Sequence, residues 1–170
     1  MSVKCLKLSD RLKTVAEFIE DGASVADIGT DHGFLPVYLA QTGLARRIIA
    51  SDKSAGSLKT ALRSADRYGV TDKISFVTAP GLSGVDEADV DTVVIAGVGG
   101  ERIIEILAGA PWTNRGGVRL ILQPQTKIAL LRSWLGENGY MIIETKQAFD
   151  KGRVYSVILA QGSGELGIRN

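Results

Sequence analysis

The sequence holds a single cysteine, Cys5, and a single histidine, His32. One cysteine excludes an intrachain disulfide, and the two residues together cannot form the ligand cluster of a metal site, so no metal is expected. No Ser-His-Asp or Cys-His set for nucleophilic catalysis stands out either. Net charge is almost absent: 20 Lys and Arg stand against 19 Asp and Glu, a balance of +1. No overall field therefore draws the protein to nucleic acid or membrane, and a polyanionic partner has to be held by a local patch. Lys4, Lys7, Arg11 and Lys13 near the N-terminus, or the pair Arg46 and Arg47, are candidates, with a solvated helix face as the alternative. No apolar run approaches the ~18 residues of a membrane span. The opening MSVKCLKLSDRLK carries charge where a signal peptide needs apolar residues. The expectation is a cytoplasmic protein without membrane attachment, monomeric or homodimeric.

What is present is an ordinary globular composition, 45% hydrophobic and 23% charged over 170 residues. That fits one domain over residues 1–161, followed by a glycine-rich flexible tail at 162–170. Short β-branched runs alternate with longer helical periods. Leu12, Val15, Ala16 and Ile19 recur at helical spacing after Ser9, a plausible N-cap. Strands are predicted at 25–30 (VADIGT), 47–52 (RIIASD), 74–79 (ISFVTA), 91–97 (DTVVIAG) and 119–124 (RLILQP). Helices fall between them, with Pro36 in a first turn and Gly69, Gly109 and Gly139 as stops. Residues 140–149 and 153–161, separated by Asp150, Lys151 and Gly152, read as an antiparallel pair. Strict rotation of strand and helix means a mostly parallel sheet covered on both faces. Five such strands and a closing hairpin give an α/β, seven-stranded, Rossmann-like methyltransferase order rather than that of a nicotinamide dehydrogenase.

In such a sheet the ligand crevice lies at the carboxyl ends of the strands, where the strand order reverses. The first strand ends in DIGTDHG, Asp27 to Gly33, without the G-x-G-x-x-G spacing that seats a pyrophosphate. An acid two residues before the first glycine suits a ligand bearing an ammonium group, which S-adenosylmethionine (SAM) has and a nicotinamide dinucleotide lacks. Asp52 ends the second strand, where a carboxylate accepts both hydroxyls of a ribose; a turn or cap aspartate is the other reading. Gly97, Gly99 and Gly100, at and just beyond the end of the fourth strand, either grip a base edge through bare backbone or form a close-packed helix entry. Gln123 and Gln125 flank Pro124 as amides able to read a heterocycle, or as a plain turn. His32 orients the ligand, acts as a base or simply satisfies a turn, and its place between Asp31 and Gly33 favours binding over catalysis.

LSDRLKTVAEFIEDGASVADIGTDHGFLPVYLAQTG, ASDKSAGSLKTA, DTVVIAGVGG, LILQPQ and LRSWLGENGY resemble, in this order, the bacterial tRNA (adenine-22-N1)-methyltransferase family. The resemblance runs from about Leu8 to Ala160. It implies a class I methyltransferase fold, SAM as methyl donor, S-adenosylhomocysteine as product and a tRNA adenine as acceptor. It places Asp27, Gly29, Thr30, Asp31, His32 and Gly33 around SAM and Asp52 on its ribose, and Lys53 is a further candidate for the cofactor. Gly81, Leu82, Ala96 and Gly97 complete the candidate cofactor set. Gly97, Gly99, Gly100 and Gln123 are the candidates for holding the base during transfer, and Arg102, Lys127 and Arg132 for its phosphates.

Three departures accompany the resemblance. Where the family has G-D-G-L, this chain reads Ala79-Pro80-Gly81-Leu82, and proline neither accepts the expected hydrogen bond nor donates a backbone one. Val98 replaces the usual methionine, and Gln125 stands where asparagine is frequent. Family members carry a C-terminal helical, coiled-coil-like extension, with no counterpart before Asn170. Two other functions stay open at this level. One is a same-fold methyltransferase for another RNA or a small molecule; the other is a SAM- or RNA-binding module without turnover.

Overall fold

Alternation of side chains across the central strands explains how one sheet serves two cores. In a computed structural model, which describes residues 4–164, Val25, Ile48, Val94 and Ile121 point to one face. Their neighbours Ala26, Ile49, Val93 and Leu122 point to the other. Both sets are buried, as strands covered by helices on both faces require.

The element order is α1 (Asp10–Glu17), β1 (Ala23–Ile28), α2 (Phe34–Thr42), β2 (Ala45–Asp52), α3 (Ala55–Arg67), β3 (Ser75–Thr78) and β4 (Thr92–Val98). It continues with α4 (Gly100–Ala108), β5 (Arg119–Pro124), α5 (Ile128–Glu137), β6 (Tyr140–Asp150) and β7 (Arg153–Gly162). The seven strands lie in the order β3-β2-β1-β4-β5-β7-β6. β1 to β5 pair in parallel, and β7 runs antiparallel to both β5 and β6. This is the expected Rossmann-like sheet with its closing hairpin. The order reverses between β1 and β4, which opens a crevice above their carboxyl ends.

Local chemistry sets the element ends. Ser9 caps α1, its hydroxyl accepting from the Leu12 N–H at 3.3 Å. Ser54 caps α3 in the same way through the Ser57 N–H. The β6–β7 turn has left-handed backbone at both Lys151 (φ 50) and Gly152 (φ 76), the twist that matches a tight hairpin. β1 begins and ends two residues earlier than predicted; just past its end the Gly29 and Thr30 N–H groups both donate to the Ser51 carbonyl of β2, where the chain turns out of the strand. Three short 3-10 turns, at Thr71–Lys73, Glu87–Asp89 and Pro111–Asn114, were not visible as periodic patterns.

The first residue of the predicted tail, Gly162, is part of the sheet. That glycine is the last residue of β7, paired with Tyr140, and it packs against the Asn114 backbone. The Ser163 N–H donates to Gly139 and the Gly164 N–H to Asn114. Residues 165–170 of the predicted tail lie outside the described residues. Among the described residues no helix is long and apolar enough to cross a membrane.

The two-sided core makes a stability prediction. Ile121, in β5 and fully buried, should cost about 2–5 kcal/mol when changed to Ala. Phe149→Ser near the hairpin tip, where the side chain is 69% exposed, should change stability by less than about 0.5 kcal/mol. Denaturant unfolding of the two variants measures the contrast.

Candidate active site

The crevice between β1 and β4 is a cleft of about 480 Å3. The β1–α2 loop supplies Gly29, Thr30, Asp31 and His32 to its wall, and Asp27 closes its inner end. Asp52 and Lys53 come from the end of β2, Ala79 and Gly81 from beyond β3, and Ala96, Gly97 and Val98 from β4. Ile95 and Ile106 add apolar surface, and Arg11, Arg102 and Gln125 add polar groups.

Asp27 is the most unusual group in the cleft. Its side chain is buried at the end of a central strand, and one carboxylate oxygen accepts from the Thr30 hydroxyl at 2.9 Å. Burial pushes its pKa up to about 7, against the opposing pull of the Thr30 hydrogen bond and the Arg11 charge; nearby Asp52 adds a smaller upward push. A carboxyl held in this way gains most from a cationic ligand group placed against it.

Asp52 combines both roles proposed from sequence. Its two oxygens accept the Asp31 N–H at 3.1 Å and the Ser54 N–H at 2.9 Å, so it does organise two turns. It also lines the cleft. Each carboxylate oxygen has a further lone pair free for a ligand hydroxyl. The loop between these acids is tightly constrained. Gly33 has φ 72, and a Cβ there would stand 2.8 Å from the Ala61 Cβ, so α2 can start against α3 only with glycine. His32 and Phe34 stack at the mouth, with ring centroids 5.3 Å apart and planes inclined by 17°.

Five predicted site residues do not line the cleft: Gly33, which packs on Ala61, and Leu82, Gly99, Gly100 and Gln123. Leu82 is buried in the core beneath it, with Val85 and Val90. Gly100 is buried against the β5–α5 loop: a Cβ would lie 2.6 Å from the Lys127 carbonyl oxygen, the close-packed helix entry rather than a base grip. Gly99 meets the Thr126 hydroxyl in the same packing. Gln123 is fully buried and spends its amide inside the protein. Its Oε1 accepts from the Arg11 guanidinium at 2.7 Å and from the Gly97 N–H at 3.0 Å, and its Nε2 donates to the Pro124 carbonyl at 3.1 Å. These bonds tie Gln123 to Arg11 and to the Gly97 backbone. Pro80 also stays outside the lining, which passes through its neighbours Ala79 and Gly81. Among the described residues there is no cluster of His, Cys, Asp and Glu that could hold a metal.

Residues 8–158 match the family described as the methyltransferase domain. The chain belongs to this methyltransferase family. The tRNA (adenine(22)-N(1))-methyltransferase of Bacillus subtilis is 37% identical over 156 residues, 92% of this chain and 66% of that protein. The crystal structure of the B. subtilis m1A22 tRNA methyltransferase TrmK superposes with a TM-score of 0.85 at 38% identity, covering 92% of this chain and 67% of that one. Streptococcus pneumoniae Sp1610, solved in complex with S-adenosyl-L-methionine, gives 0.85 at 33% identity, over 92% of this chain and 73% of that one. This methyltransferase domain therefore spans about two thirds of the length of B. subtilis TrmK.

Arg11 is the site residue that sequence reasoning misplaced. It belongs to α1, which resembles a surface helix with a basic patch, yet its guanidinium enters the cleft. The missed signal was its position one turn ahead of Val15, on the helix flank that turns toward the sheet. Positive φ at Gly97 (78) and its missing Cβ let the Arg11 guanidinium approach that backbone closely.

The raised Asp27 pKa makes the ligand-free methyltransferase pH-sensitive. The folded state keeps a proton that the unfolded state releases near 3.8, so stability should fall as pH rises from about 4 to about 7 and then level off. Asp27→Asn should flatten this slope, and Arg11→Ala should extend it to higher pH by removing a charge that lowers the pKa. Urea unfolding at a series of pH values tests both; an unchanged slope in Asp27→Asn contradicts the assignment.

Proposed function

We propose that this methyltransferase domain binds SAM in the β1–β4 crevice and transfers its methyl group to N1 of an adenine in tRNA. The observation that carries the reading is a pair of carboxylates, Asp27 and Asp52, on the walls of one cleft whose glycine-bearing loop admits a ligand backbone to backbone. The donor set fits SAM. Asp27 answers an ammonium group, Asp52 a pair of ribose hydroxyls, and the apolar flank of Ile95 and Ile106 beside Gly81 suits a flat heterocycle. Relatives named as tRNA adenine-22-N1 methyltransferases, and one solved with SAM, support the same assignment.

When bound, SAM supplies an electrophilic methyl on a positively charged sulfur. The chain's own part is alignment. Asp27 and Asp52 fix the two ends of the donor, and Gly97, held by Gln123, leaves open backbone beside the space where a base enters. Adenine N1 keeps its lone pair at neutral pH, so an in-line displacement needs no prior deprotonation. His32 Nε2 lies 3.7 Å from an Asp31 carboxylate oxygen at the exposed mouth, but a displacement that needs no deprotonation draws on positioning rather than on a base. The acceptor base has to leave its pair or stack before it reaches the cleft. The exposed His32–Phe34 stack and Arg102 border its route in.

Asp27→Ala and Asp52→Ala should each abolish measurable SAM binding by calorimetry while the far-ultraviolet circular dichroism spectrum stays that of the wild type. Wild-type affinity in both variants removes the ligand assignment. Incubating the protein with unmodified tRNA transcripts and labelled SAM, followed by nuclease digestion and mass spectrometry, should place the methyl on adenine N1. Label on a small molecule and none on RNA would replace tRNA as the acceptor.

A further inference from the structure

A second depression of about 330 Å3 lies beside the cleft, between the β5–α5 loop (residues 124–128) and the start of β7 (residues 153–156). Gln125 lines both, so the two spaces adjoin at this residue. Lys127 and Arg153 line the second groove, and no acidic side chain does. Both cations are exposed, and neither side chain makes an ion pair or hydrogen bond among the described residues.

That freedom sets them apart from most of the arginines nearby and elsewhere. Arg102 is paired with Glu105, Arg47 with Asp89, Arg115 with Glu87 and Arg119 with Glu20. Arg132 donates to the Thr145 hydroxyl, and Arg11 to Gln123. Of the three basic residues first considered for phosphate contact, Lys127 alone is uncommitted.

The loop that carries Lys127 is held in place at a conformational cost. Lys127 has φ 58, a left-handed backbone that lysine rarely adopts. The surroundings fix it there: the Gln125 N–H donates to Val98, the Gly100 N–H to Thr126 and the Leu131 N–H to the Lys127 carbonyl. The β4–α4 turn that closes one side of the methyl-transfer cleft thus also fixes the floor of the second groove. Tyr155 adds an aromatic ring to its lining.

We propose that this groove is the subsite for the RNA segment flanking the methylated adenine. Lys127 and Arg153 each take a backbone phosphate, and Tyr155 offers a surface for the neighbouring base. The proposal rests on tRNA being the acceptor. Its chemistry is that of a single-stranded nucleic-acid path, unpaired cations along the backbone with an aromatic ring between them. It also accounts for how a protein of nearly zero net charge holds a polyanion: the cations that matter are the unneutralised ones next to the cleft.

The test is direct binding of an unmodified tRNA transcript by fluorescence anisotropy, at several salt concentrations, with Lys127→Ala/Arg153→Ala and Lys127→Glu set against wild type. Lys73→Ala, at the opposite edge of the sheet, serves as control. The double variant should lose roughly tenfold in tRNA affinity. Its slope of log K against log salt should shrink by about 1.4, the loss of two single-strand phosphate contacts. Lys127→Glu should bind more weakly than wild type, Lys73→Ala should match wild type, and calorimetric SAM affinity should stay unchanged throughout. In turnover, KM for tRNA should rise with little change in kcat. Wild-type tRNA affinity and salt slope in the double variant overturn the groove while leaving the methyltransferase reading intact. Groove-dependent tRNA binding without N1-methyladenine as product overturns the assigned reaction and leaves the groove standing.

Discussion

A reversal of strand order between β1 and β4 governs what this chain can bind. Strands that cross to opposite sides of a central pair carry their following loops apart, and the space above that pair stays open. Asp27 sits at the end of one strand of the pair and Ala96 to Val98 at the end of the other. Because β1 is buried along its whole length, Asp27 is buried as well, and it holds its proton to about pH 7 without a ligand. The same topology thus creates the cleft and the buried carboxyl within it.

A buried amide ties the acceptor side to the donor side. Gln123 of β5 receives hydrogen bonds from Arg11 of α1 and from the backbone of Gly97 near the end of β4. Three segments far apart in sequence share one side chain that solvent does not reach. A bond network with no exposed member at its centre has few alternative arrangements, so the Gly97 backbone is held in one orientation. Gly100, packed onto the β5–α5 loop, extends the constraint to Thr126 and Lys127. The cleft and its neighbouring groove are consequently one mechanical unit.

Much of this was legible in the residue order. Strict strand–helix rotation predicted the parallel sheet, and the residues 140–149 and 153–161 predicted the closing hairpin. DIGTDHG and Asp52 marked the loops that do wall the cleft. The misplacements follow a pattern. Gly99, Gly100, Leu82 and Gln123 sit in segments that approach the ligand, but their own side chains or Cα atoms turn into the protein. Segment position is a one-dimensional property, whereas the direction of one side chain depends on what packs behind it.

By itself the sequence determined the alternation of elements, the two-sided burial of the strands and the acids at their ends. These are local or periodic properties, carried by hydrophobic spacing, caps and turn residues. Tertiary structure alone decided that Arg11 leaves the surface for the cleft, that Gln123 is a buried tie, and which cations remain unpaired. Each of those depends on contacts between residues many positions apart, such as Arg11 with Gln123 or Gly100 with Lys127, and no local pattern encodes which partner a side chain meets.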